Sequence, residues 1–140
     1  MSYQAAEAPQ DPKHLPEFIS RQLHRLENEL RDGAAIRPTL AGTWANTGGE
    51  YTVVSYQRDH HRHVHLHGML DTGTRITDSY TVVLTLPEKY RPLATEVFAC
   101  SQGSEGAYVR VDVTSAGVVK AWKWNGTWLN LAGINYLAER

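Results

Sequence analysis

HVHLHGML, residues 63–70, alternates polar and apolar side chains strictly as far as His67. Val64 and Leu66 point one way; His63, His65 and His67 point the other. A period of two is the signature of a β-strand with one face on a core, since successive side chains leave opposite sides of the pleat. The same period recurs downstream of Thr39. TWANT (43–47), YTVVSYQ (51–57), TVVLTL (81–86), TEVFACS (95–101), AYVRVDV (107–113), VVKAWKW (118–124) and TWLNL (127–131) are short and rich in β-branched or aromatic residues. Turn-forming runs separate them: NTGG, RDHHR, DTGT, LPEKYRP, SQGSEG and TSAG. Asn125-Gly126 supplies the residue pair that a type I′ turn needs, predicting a hairpin between WKW and TWLNL. Strands this closely spaced, with no long helical pattern among them, predict an antiparallel β-sandwich over residues 39–140, jelly-roll-like in its connections.

Upstream, the grammar changes. Over residues 15–33 the apolar residues Ile19, Leu23, Leu26 and Leu30 are spaced four, three and four, which is the a/d stripe of a short amphipathic helix. Pro16 suits its first turn and Gly33 its end. Two heptads are marginal alone in water. The narrow stripe on an otherwise charged helix predicts self-association, a short coiled-coil stalk, with packing against the following sheet as the alternative. Residues 1–14 are polar and proline-bearing and read as a flexible arm.

Composition narrows the function classes. The chain has 140 residues, 41% hydrophobic and 21% charged, with a formal net charge of −1, so no long-range attraction to nucleic acid or anionic lipid is expected. No apolar run approaches the roughly 18 residues of a membrane span, so membrane insertion is not expected, and the N-terminus lacks a signal-peptide core, predicting synthesis in a cytoplasm without secretion by that route. The one cysteine, Cys100, alternates with apolar neighbours in VFACS and reads as a buried free thiol.

The order of several phrases resembles a known family. Val64-x-Leu66-x-Gly68 is followed by Leu86-Pro87-x-x-Tyr90-Arg91-Pro92, then Tyr108-x-Arg110-x-Asp112, Ser115-Ala116-Gly117 and Leu129-x-Leu131-x-Gly133-Ile134-x-Tyr136. This succession, over roughly residues 43–136, is similar to the C-terminal head domains of bacteriophage tail fibre and minor tail proteins. The resemblance implies a trimer of β-sandwich heads, carried on a virion and attaching it to the host surface, with no cofactor. It further implies a virion-anchoring role for the N-terminal arm, through other tail or capsid proteins, and a bacterial surface glycan or protein as the partner of the head. About 40 residues precede the head, which leaves a capsid or tail decoration protein as the alternative; a cellular lectin-like module is the third reading. Physically, Leu86-Pro87 ends a strand, Tyr90 and Arg91 are expected to anchor a long crossing loop as an aromatic plug and an ion-pair donor, and Gly133-Ile134-x-Tyr136 reads as a closing edge strand.

Two constellations are candidates for function. Five of the seven histidines fall within residues 60–67. Neighbours on one strand face lie about 6.5–7 Å apart, so His63, His65 and His67 converge poorly on one ion. A solvated or intersubunit polar face is the preferred reading, with no metal assigned. Around the threefold axis that the resemblance implies, a symmetric metal site becomes geometrically open, and a receptor contact or pH-sensitive patch is the remaining alternative. In VVKAWKWNGTW, Trp122 and Trp124 share a strand face with Lys123 between them. Core packing is the bland reading, and a saccharide-stacking platform formed by Trp122, Lys123 and Trp124 the functional one. No nucleophile elbow, HExxH or phosphate-cradling loop occurs, so a binding protein and not an enzyme is expected.

Overall fold

The computed structural model describes residues 14–30, 33–72, 79–103, 107–123 and 128–138, and for the helix the side chains of residues 16–25. Two units make up the chain, one holding the helix and the other the strands. The helix α1 spans His14–Leu30. Each of its described side chains is exposed, including Phe18, Ile19 and Leu23. Leu26 and Leu30, the remaining members of the stripe, have side chains outside the described set, as does the arm over residues 1–13.

The second unit is mainly β, as the alternation predicts. Its strands are β1 (Ala45–Asn46), β2 (Ser55–Arg58), β3 (His63–His67), β4 (Met69–Asp71), β5 (Tyr80–Thr85), β6 (Glu96–Ser101), β7 (Tyr108–Val113), β8 (Val118–Trp122), β9 (Leu129–Asn130) and β10 (Asn135–Leu137). They form three antiparallel sheets in the orders β2-β3-β10, β1-β4-β9 and β5-β8-β7-β6. Side chains from all three meet in one core. Val54, Val64, Leu66 and Leu70 join Val83, Leu84, Val111 and Val119 there, each no more than 1% exposed.

The opening stretch departs from a single strand at one residue. Gly68 ends β3 and begins β4, so the chain leaves one three-stranded sheet and enters the next. Its φ is +115°, and a Cβ there would lie 2.4 Å from Val54 Cα and 2.6 Å from Val54 N. Only glycine can turn the strand while the Val54 backbone passes this close. The partner chain accommodates the turn. Val64 pairs with Tyr136 and His65 with Asn135, while Met69 pairs with Asn130 and Leu70 with Leu129. Leu66 N–H reaches Ile134 O and Leu131 N–H reaches Gly68 O, so Ala132 and Gly133 together face the single residue His67, as in a β-bulge.

The four-stranded sheet is a Greek key. β6, β7 and β8 pair in succession and β5 lies beside β8, so the chain must cross from the end of β5 to the far edge of the sheet. LPEKYRP is that crossing. Pro87 starts a single 3-10 turn at Glu88–Tyr90. Tyr136 Oη donates to Tyr90 O at 2.5 Å, the Tyr90 ring meets Tyr56 edge-on at 4.7 Å, and Arg58 donates to Lys89 O at 2.9 Å. Burial pushes the Tyr136 hydroxyl well up, as expected of a phenol that serves only as a donor. The two most specific phrases of the sequence, LPxxYRP and LxGIxY, therefore meet in space through Tyr90 and Tyr136. Arg91 differs from its expected role. Its Nε donates to the Leu86 carbonyl at 2.9 Å, and the guanidinium lies over Gly117, where a Cβ would come within 2.8 Å of it. It braces backbone where an ion pair was expected.

The described strands on either side of Asn125-Gly126 do not pair with each other. β8 pairs with β5 and β7, whereas β9 pairs with β4 in another sheet. Asn125 and Gly126 themselves lie outside the described residues, and Trp128 precedes β9 without joining it. A turn propensity is local, but the inward faces of Leu129 and Leu131, both fully buried, are satisfied only by crossing to the other sheet. Cys100 is buried, and desolvation pushes its thiol up to about 12, so it is inert as a nucleophile at neutral pH.

Asp59 closes the β2–β3 turn. Its Oδ1 accepts from His61 N–H at 2.8 Å and His63 N–H at 3.0 Å, and Oδ2 lies 3.1 Å from His65 Nε2. Arg62 takes φ +67° to complete the turn. Partial withdrawal from water pushes the carboxyl up, but the donors from His63, His65 and His61 outweigh it, and the pKa falls to about 2.

Two outcomes follow from these contacts. Gly68→Ala is expected to lose roughly 3 kcal/mol or more, from backbone strain together with overpacking against Val54, read as a lower urea midpoint by tryptophan fluorescence; an unchanged midpoint would show the sheet handover tolerates a Cβ. A carboxyl with a depressed folded pKa stabilises above its unfolded value near 3.8 and loses that contribution as pH falls toward 2. Asp59→Asn should therefore be less stable than the parent at pH 5–7, with the difference shrinking between about pH 4 and pH 2. A gap that stays constant over that window would mean that the carboxylate's charge plays no part.

Candidate functional site

The histidine face lies on the outside of the sheet formed by β2, β3 and β10. With Val64 and Leu66 fully buried inward, His63 and His67 are exposed and His65 is half-buried. Cross-strand register sets polar groups beside two of them, Ser55 opposite His67 and Gln57 and Asn135 on either side of His65, while the exposed apolar Leu137 stands opposite His63. The rings of His63 and His65, and of His65 and His67, stand 6.5 Å apart between centroids, the second pair nearly parallel at 14°. Among the described residues no three His, Cys, Asp or Glu side chains gather where they could hold a metal ion. Within one chain the stretch is a flat ladder of imidazoles, with His65 held by Asp59.

The outer face of the four-stranded sheet is different in kind. Register aligns Tyr80, Trp122, Arg110 and Ala99 in one row across β5, β8, β7 and β6, and Val82, Lys120, Asp112 and Val97 in the next. The Arg110 guanidinium sits 4.7 Å from the centre of the Trp122 ring, and Lys120 Nζ 4.3 Å from that of Tyr80. Tyr80 and Trp122 themselves are 5.0 Å apart. Each aromatic is thus capped by a cation, which the negative face of the ring attracts. Asp112 grips Arg110 with both oxygens, Nε to Oδ1 at 2.8 Å and Nη2 to Oδ2 at 2.9 Å. That bidentate pairing holds the Arg110 pKa above its ordinary value.

Beside this row opens a cleft of about 300 Å³ lined by Tyr108, Val109, Arg110, Trp122 and Lys123. Tyr108 is the exposed aromatic of the group, at 67%. Lys123 takes φ +45°, and its N–H is held by Ser79 O at 3.0 Å. Trp124 lies outside the described residues. The structure thus brings Trp122 and Lys123 to one cleft, and adds Tyr108 and Arg110, which the sequence offered only as part of the resemblance and not as site residues. Among the described residues Trp122 Nε1 is buried without an acceptor, and the face of its ring seats Arg110. The signal for Arg110 and Asp112 was present in YVRVDV: two opposite charges two residues apart lie on one strand face. A second cleft, of about 230 Å³, opens at the sheet handover and is lined by residues that include Glu50, Tyr51, His67, Gly68 and Asn130.

No family model matches the sequence, and no curated protein matches it. Among solved structures, the chain is similar to the crystal structure of the receptor binding protein (gp15) of Listeria phage PSA. The TM-score is 0.72 at 16% sequence identity, covering 96% of this chain and 83% of that one. The likeness is one of fold, shared over nearly the whole of this chain.

Proposed function

We propose that this chain is a receptor-binding protein of a bacteriophage virion, whose β-sandwich head attaches the particle to a saccharide of the bacterial surface. The observation that carries this reading is the shared fold, over 96% of the chain, with a protein described as a phage receptor binding protein. The ordered pair LPxxYRP and LxGIxY supports it independently, because Tyr90 and Tyr136 form one contact that closes the head. The head works by binding and not by catalysis. Its contact region is the cleft at Tyr108, Arg110, Trp122 and Lys123, where an exposed aromatic beside fixed cations suits a sugar ring and its substituents.

Three copies associate through α1. Ile19 and Leu23 are 47% and 55% exposed within the chain, and a symmetric seam would bury them. The histidine ladder serves as a polar or intersubunit face, and the N-terminal arm joins the head to other virion proteins. Among the described residues, no helix is long and apolar enough to cross a membrane.

Gold-labelled antibody against the head, imaged on whole particles, is expected to mark the tail tip; label scattered over the capsid would favour the decoration reading and refute attachment. Ile19→Asp with Leu23→Asp is expected to reduce the mass in light scattering from three chains to one while circular dichroism of the head is unchanged. Unpaired carboxylates in a buried seam cost about 3–5 kcal/mol, more than two heptads can supply. A trimer mass retained after that double substitution would remove α1 from the assembly.

A further inference from the structure

We propose that the cleft bordered by Tyr108, Arg110, Trp122 and Lys123 selects an anionic sugar unit, with the ring against Tyr108 and its carboxylate or phosphate met by Arg110 and Lys123. The proposal rests on the receptor-binding reading and adds the charge of the ligand to it. Its origin is an anomaly in burial. Asp112 belongs to the outer face of β7, yet its side chain is only 6% exposed, while that of Arg110 beside it is 54% exposed. A carboxylate withdrawn from water on an otherwise solvated face has one visible consequence: it fixes the guanidinium. Asp112 occupies Nε and Nη2 along the strand, and Trp122 supports the plane from below at 4.7 Å. The Nη1 donors are left uncommitted to that carboxylate, on a side chain already ordered before any ligand arrives. An arginine held in this way loses little freedom on binding, and its planar fork matches a carboxylate or phosphate.

The charge balance points the same way. Asp112 cancels one unit on Arg110, and Lys123 on the rim adds a cation; no carboxylate stands among the described lining residues. Lys120, one row away and seated on Tyr80, raises the positive surplus of the face. A neutral sugar would gain nothing from this excess. The volume, about 300 Å³, lies at the small end of ligand sites and fits one or two sugar rings.

The test is a titration of the full chain, followed by NMR at the Trp122 indole and Arg110 Nε resonances, with glucuronate, glucose 6-phosphate, glucose and inorganic phosphate as probes. At least one of the two anionic sugars is expected to produce saturable shifts, and which one does so distinguishes a carboxylate from a phosphate ligand. Glucose at equal concentration should leave these resonances in place, and inorganic phosphate should bind at least tenfold more weakly than the sugar anion. Raising the salt to 0.5 M should weaken the interaction several-fold. Lys123→Asn, a residue type that tolerates the positive φ, and Tyr108→Ala should each lower affinity by roughly fivefold or more. Arg110→Lys retains a charge opposite Asp112 but removes the fork, and should do the same. Equal shifts with glucose would overturn the charge selection while leaving a saccharide receptor site intact. No saturable shift with either anion, or a loss caused instead by Tyr51→Ala in the second cleft, would overturn the site itself. Tail-tip labelling of the particle remains the separate test of attachment.

Discussion

The fold turns on the close passage of Gly68 over Val54. A three-stranded sheet that simply continued through residues 63–71 would be a single ribbon with its core on one side. Because Gly68 adopts φ +115° with no Cβ, the ribbon breaks without losing either set of partners, and β3 and β4 keep separate sheets. The opposite chain absorbs the turn with one extra residue at Ala132-Gly133. Each half can then present its apolar residues, Val64 and Leu66 on one side of the break and Leu70 on the other, to the same core as Val83, Leu84 and Val111. A substitution at this one glycine is thus felt in the four strand pairings of β3 and β4 at once.

The second constraint is the crossing. A Greek key leaves one long connection to be held down, and an unanchored crossing costs conformational entropy with no return from burial. Here the connection is tied to the opposite layer by the Tyr136 hydroxyl, by the edge of Tyr56, by Arg58 on Lys89 O, and by the bridge from Pro92 to Ala138. The bridge also occupies part of the free edge of β10, which otherwise offers unpaired backbone to solvent or to another chain. The crossing loop and the final strand are therefore one structural device, although 46 residues separate Tyr90 from Tyr136.

How much of this was legible depends on the range of the interaction. The period-two alternation is a local property of strands, so the faces of Val64, Leu66 and the three histidines could be read directly, as could the burial of Cys100. The break at Gly68 was signalled only as a glycine in a strand, because what makes it obligatory is Val54, fourteen positions away in sequence. Asn125-Gly126 lies outside the described residues, but the strands on either side satisfy their inward faces in different sheets, a pairing that no local turn signal carries. The candidate site divides in the same way. Trp122 and Lys123 stand out by composition, whereas Arg110 and Asp112 acquire meaning only from the register that sets Arg110 across from Trp122. Tyr108 stood in the sequence as the first residue of an alternating strand phrase, and only its exposure marks it as a contact candidate.

Register also separates the two polar faces of the head by physical type. The histidine ladder is a row of like groups spaced by the strand, tied to the fold through Asp59 at one ring and otherwise open to water. Such a face can meet a neighbouring copy without demanding a particular geometry of it. The face of the four-stranded sheet carries unlike groups already in contact: cation over aromatic, and carboxylate behind guanidinium. The pair of Asp112 with a half-exposed Arg110 adds little net stability, since desolvation of the carboxylate offsets much of its attraction. What an apolar residue at that position could not supply is orientation. With both oxygens on Arg110, Asp112 holds the guanidinium in one plane at the mouth of the cleft.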